Sequence, residues 1–224
     1  ILKNIILQIF FIILHMIRDV ISNDGYVISG LISLSIIIIA KTINSRRFSD
    51  LTRVFSNSNY FRIYLKEHSF LDSFDFLLFL NFCINITTYS YVIYCCLIDL
   101  IEINFKTFST IFLVILLFIL AKVLTGLFVG YVFDIYKTIS VLIFQQISTL
   151  NFIGIMLLPV NLLLAFGLNY QIEWLIISVS FVIIIATAGM LKTVYTNLNL
   201  VLSNFLYFIL YICTLEIGPY IIIY

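Results

Sequence analysis

Charge is scarce in this chain. Only 10% of its 224 residues are Asp, Glu, Lys or Arg, 63% are hydrophobic, and mean hydropathy is +1.19. Soluble domains are about half apolar and about a quarter charged. Too little polar surface is present to cover a globule in water. Net charge is +1, which leaves no electrostatic footprint for nucleic acid. Histidine is limited to His15 and His68, neither in the middle of a span, which excludes a transmembrane bis-histidine haem. His68 lies beside Glu67 and reads as solvated interface, since a lone histidine is not a metal site. The four cysteines, Cys83, Cys95, Cys96 and Cys213, sit in apolar runs without CxxC spacing. They form neither a zinc site nor a disulfide framework, and read as packed or lipid-facing thiols. There is no HExxH and no G-x-S-x-G. No span holds a pair of acids in the manner of an intramembrane protease. No span after Arg62 holds an arginine, which argues against a rotary proton-channel subunit. No cofactor and no catalytic residue is expected.

What is present is hydrocarbon in long unbroken runs. Alternation is missing, so a β-barrel does not fit, and the expected class is an all-α integral membrane bundle. A spanning helix needs about 20 largely apolar residues. Six stretches qualify: Tyr26–Ala40, Phe70–Ile98, Phe108–Thr125, Ile147–Leu168, Trp174–Leu191 and Leu200–Tyr224. The first is short unless it extends past Lys41, whose stem can snorkel. Residues 16–224 are expected to form one polytopic domain.

Between the first two stretches lies a basic loop, residues 41–69, with Lys41, Arg46, Arg47, Arg53, Arg62 and Lys66 against Asp50 and Glu67. Lys and Arg concentrate on the cytoplasmic side. Placing this loop inside puts Lys122, Lys137 and Lys192 inside by alternation, and only Arg18 and Lys106 outside. The C-terminus then lies in the periplasm. Arg46, Arg47, Arg53, Arg62 and Lys66 are expected to contact anionic headgroups or a partner.

Two pieces resist this scheme. Gly126–Gln146 is apolar, but Asp134 and Lys137 lie three apart and could pair on one helical face. It is read as an amphipathic helix along the inner surface, residues 126–146, because a further span would carry Lys192 outside. Gly126 and Gly130 give a GxxxG spacing that permits close helix contact. Residues 1–15 hold an apolar core too short for a comfortable span. They could be an extra span, a signal-like anchor, or a stretch upstream of a true start at Met16.

One carboxylate sits in the last apolar run. Glu216 lies roughly 24 Å along a helix from Leu200, in the outer third of a ~30 Å core. Lys122 lies about 15 Å away in depth, too far to pair with it. Asn85, at roughly 22 Å, and Asn161, at roughly 21 Å, share its height. Thr88 follows Asn85 on the same face. Pro159 frees a backbone carbonyl nearby. The expected site is therefore an intramembrane polar cluster of Asn85, Thr88, Asn161 and Glu216.

Three segments carry a resemblance. "MIRDVISNDGYVISGL" with "RRFSDLTRVFSNSNYFRIY", then "IGIMLLPVNLLLAFG", then "YFILYICTLEIGPY" are similar to a family of multi-pass inner-membrane proteins of Bacteroidota known only as a domain of unknown function. The last matches a closing signature, Leu-Tyr-Leu-Cys-x-Leu-Glu-Ile-x-Pro, with Gly218 where Ala or Leu is usual. The resemblance runs from Met16 to Tyr224 and favours Met16 as the start. It implies an inner-membrane location and no activity. The expected role is a non-catalytic accessory or assembly subunit of an envelope system, its partners the lipid bilayer and proteins of the inner membrane. The alternative is a small proton-coupled transporter or lipid translocase using Glu216. A membrane enzyme acting on a lipid is third.

Overall fold

A computed structural model describes residues 24–53, 72–98, 105–167 and 172–196. They form α1 (Asp24–Ile43), α2 (Ser45–Thr52), α3 (Ser73–Ile98), α4 (Phe105–Val132), α5 (Tyr136–Leu162) with a π-helical end (Leu163–Gly167), and α6 (Ile172–Thr196). No strand occurs among the described residues. Five of these helices are long and apolar enough to cross a bilayer. They match the first five stretches read from the sequence, and α1 does run past Lys41. The expected sixth, Leu200–Tyr224, lies outside the described residues, as do residues 1–15.

Contacts fix the order of packing. Ser33 of α1 meets Asn81 and Asn85 of α3, while Tyr26 meets Cys95, so α1 and α3 run antiparallel. Asn161 of α5 meets Asn85, and Gly154 lies against Phe82, so α3 and α5 run parallel. Those two helices form the centre. Buried residues make up 56% of the span on α3 and 50% on α5, but 17%, 6% and 11% on α1, α4 and α6. The outer three present large apolar side chains outward, among them Leu31, Leu117, Phe128, Ile184 and Leu191. In water that surface would be an aggregation face; in a bilayer it is the solvated one.

Residues 126–146 do not form a separate surface helix. Gly126–Val132 is the end of α4, Phe133–Ile135 turns, and α5 starts at Tyr136. Asp134 sits in that turn with φ +55°, a left-handed backbone that Asp tolerates better than most residues. The helical-face pairing with Lys137 therefore loses its premise. Gly126 and Gly130 are buried, and a Cβ on Gly130 would lie 3.3 Å from Tyr136 Cα, so the second glycine closes the hairpin. The correction leaves the alternation of spans unchanged. Gly154 sits level with Phe82, so the α4–α5 hairpin projects about 13 Å beyond the start of α3.

Candidate functional site

Two polar constructions stand out in the bundle. The first is at mid-height, between α1, α3 and α5. Ser33 Oγ donates to Asn81 Oδ1 at 2.6 Å. Asn85 Nδ2 donates to Ser33 Oγ at 2.7 Å, to the Asn81 carbonyl at 2.9 Å and to Asn81 Oδ1 at 3.1 Å. Asn161 Nδ2 donates to the Asn85 carbonyl at 2.9 Å, with Asn85 Oδ1 3.4 Å away. All four side chains are buried. Asn81 and Asn85 are one helical turn apart, so both amides face α1. A further bond, Tyr89 Oη to Ser178 Oγ at 2.9 Å, ties α3 to α6.

Of the residues singled out in the sequence, Asn85 and Asn161 are in direct contact. Thr88 lines the same gap but donates to the Ile84 carbonyl of its own helix at 2.9 Å. Glu216 lies outside the described residues. Ser33 and Asn81 were not singled out, although the Asn-x-x-x-Asn spacing of Asn81 and Asn85 was there to be read. The gap beside Asn85, Thr88 and Asn161 has a volume of about 10 Å³. That is the size of one water. Interhelical hydrogen bonds in membranes average about 0.6 kcal/mol each. The network therefore adds little stability. Its effect is on register, because a slipped helix would strand a buried amide at about 1–3 kcal/mol.

The second construction closes the end of the bundle from which α3 starts. Asn44 caps α2, its side chain accepting from the Arg47 N–H at 3.1 Å. Arg47 and Leu51, one turn apart, face inward and are fully buried. Arg47 Nη1 donates to Asp72 Oδ2 at 3.1 Å and Nη2 to Asp75 Oδ2 at 2.5 Å. Its guanidinium lies 5.0 Å from the centre of the Phe74 ring. Leu51 packs with Ala40, Phe74 and Leu78. Asp75, in the first turn of α3, also suits the positive end of that helix.

This arrangement corrects the reading of the basic loop as one contact surface. Arg47 is buried in an ion pair with two carboxylates and cannot reach a headgroup or a partner. Lys41, Arg46 and Arg53 are exposed on the outward side. Arg62 and Lys66 lie outside the described residues. Nothing in the sequence marks Asp72 and Asp75, since acids near a span boundary look like ordinary interface residues. No group of three or more His, Cys, Asp or Glu side chains suited to a metal occurs among the described residues.

The described residues thus form five apolar helices of spanning length around a polar lock, with a basic helix pinned across one end. The chain belongs to the family described as domain of unknown function DUF4271, whose model matches residues 26–224. No curated protein matches it. No solved structure matches it either.

Proposed function

We propose that this protein is a non-catalytic accessory or assembly subunit of an inner-membrane complex, engaging its partner through the basic end of the bundle. The carrying observation is the pinned helix α2. Arg47 and Leu51 hold it by one face, so Arg46 on its exposed side and Arg53 at its C-cap are presented by one anchored segment. A preorganised surface spends less ordering entropy on binding than a limp loop does. With the basic loop on the cytoplasmic side, that surface faces proteins there and the anionic leaflet. Neither Arg46 nor Arg53 takes part in packing, so changing them leaves the fold intact. The double variant Arg46→Gln/Arg53→Gln should retain its thermal stability in detergent yet lose at least tenfold of a partner co-purified from native membranes. An unchanged set of co-purifying proteins, or none with the unaltered chain, would overturn the reading.

A second reading is a small transporter or lipid translocase using Glu216, and one observation favours it. Helix α5 carries Pro159 internally and ends in a π-helical turn beside Asn161. Interrupted helices and π turns recur at transport and functional sites. The two readings part at Glu216→Gln. A proton carrier would fold and lose all function in growth complementation. A structural acid would tolerate the change at a cost below about 1.5 kcal/mol. The expected outcome is a folded, functional variant.

A further inference from the structure

Helices α4 and α6 flank α5 without closing over it, and the cleft between them holds a charge. Its volume is about 260 Å³. A dry apolar cavity of roughly 150 Å³ already takes a benzene-sized guest. One half of the cleft is apolar, with Phe82, Ile119, Ile153 and Ala186 among its walls. The other half carries Lys122, Gln146, Thr149 and Thr193.

Height decides what this polarity means. Lys122 and Gln146 are equally far from the tip of the α4–α5 hairpin, about 15 Å by helical rise. That tip projects about 13 Å past the start of α3, so both residues lie near the level of the Arg47–Asp75 ion pair. Thr193, with Lys192 beside it, is in the last turn of α6 at the same end. The polar half of the cleft therefore lies toward the end of the bundle held by the Arg47–Asp75 pair, and the apolar half runs inward from it. Polarity changes along the cleft as it does along a lipid.

We propose that this cleft binds one anionic phospholipid, its phosphate at Lys122 and an acyl chain against Ile119, Ile153 and Ala186. The cation supplies charge complementarity that a neutral headgroup would not use. Basic pockets between helices on the cytoplasmic side take anionic headgroups in this way. Gln146 places a side-chain amide at the height of Lys122, Thr193 Oγ1 donates to the Gly189 carbonyl at 3.0 Å, and Gly189 keeps the cleft floor low where α6 crosses Thr149. This site is independent of the partner surface on α2.

The test uses the full chain in nanodiscs of mixed phosphatidylglycerol and phosphatidylcholine, with the lipid retained after detergent extraction counted by native mass spectrometry. One tightly held lipid per chain is expected, phosphatidylglycerol preferred by about fivefold, as one charge near the surface would give. Lys122→Gln should bring the preference close to parity, and Lys122→Arg should keep it. Ala186→Phe should expel the retained lipid by filling the acyl track while leaving the cation in place. Arg46→Gln should change nothing. Equal retention of both lipids, a preference that survives Lys122→Gln, a lipid that survives Ala186→Phe, or a preference lost with Arg46→Gln would each overturn the proposal.

Discussion

Arg47→Met should destabilise the protein by about 3–5 kcal/mol, the cost of leaving a buried ion pair half-made. The guanidinium is fully buried and Asp75 is nearly so, whereas Asp72 is about one-third exposed. Removing the cation therefore deprives the buried Asp75 carboxylate of its guanidinium in a largely apolar setting beside Phe74 and Leu51. Water reaches Asp72, which adds little to the loss. Restoring balance should restore stability. In Arg47→Met/Asp75→Leu, no charge is left stranded, and replacement of a whole buried pair by apolar side chains is often neutral or better. The double variant should recover to within about 1 kcal/mol of the unaltered protein. Thermal unfolding in detergent reads both. Cysteine cross-linking between α2 and α3 separates loss of the clamp from loss of the bundle. If Arg47→Met unfolds no earlier than the unaltered chain, the clamp does not hold α2. Should the double variant be worse than the single one, the acids have a role besides pairing.

The distribution of what was readable follows from how each feature is encoded. Spans are written in composition, because a lipid-facing helix must be apolar along about 20 residues whatever it packs against. The match of Asn85 with Asn161 is also linear information. A fixed rise per residue turns position into depth, and two amides at one depth in parallel helices find each other. Depth does not say which helix is adjacent, so Ser33 and the α1 side of the network stayed hidden. Arg47 was hidden for a different reason. Arg46, Arg47 and Arg53 are equivalent as charges, and only helix phase separates the one that points inward. The phase was available in Asn44 as cap and Leu51 one turn beyond Arg47, but a polar stretch invites reading as a loop. The α4–α5 turn failed because Asp134 and Lys137 looked like a helical pair. An aspartate with positive φ ends a helix and leaves no hydropathy signal.

Gly154→Ala should cost about 3 kcal/mol or more, at or above the top of the usual range for overpacking. A Cβ there would lie 2.6 Å from Phe82 Cα, 2.8 Å from its Cβ and 3.0 Å from its backbone nitrogen. Two of those atoms are backbone, so no rotamer change relieves the contact. Helices α3 and α5 would have to move apart, and they are the two that hold the centre together. The same movement would lengthen the Asn161–Asn85 bond one to two turns further along, so packing and register would be lost together. Gly189 provides the contrast. Its added Cβ meets the side chain of Thr149, chiefly the methyl Cγ2. Thr149 Oγ1 donates to the Gln145 carbonyl, a bond that serine can keep. Gly189→Ala should therefore be destabilising by about 1–2 kcal/mol. Thr149→Ser in the same chain should return most of that loss, because it removes the offending methyl and nothing else. No single side-chain substitution at Phe82 should rescue Gly154→Ala, since Cα and N remain in place. Thermal unfolding of Gly154→Ala, Gly189→Ala and Gly189→Ala/Thr149→Ser in one detergent gives the comparison. A stable Gly154→Ala protein would mean that α3 and α5 are not in backbone contact, and the central pair of the bundle would have to be redrawn.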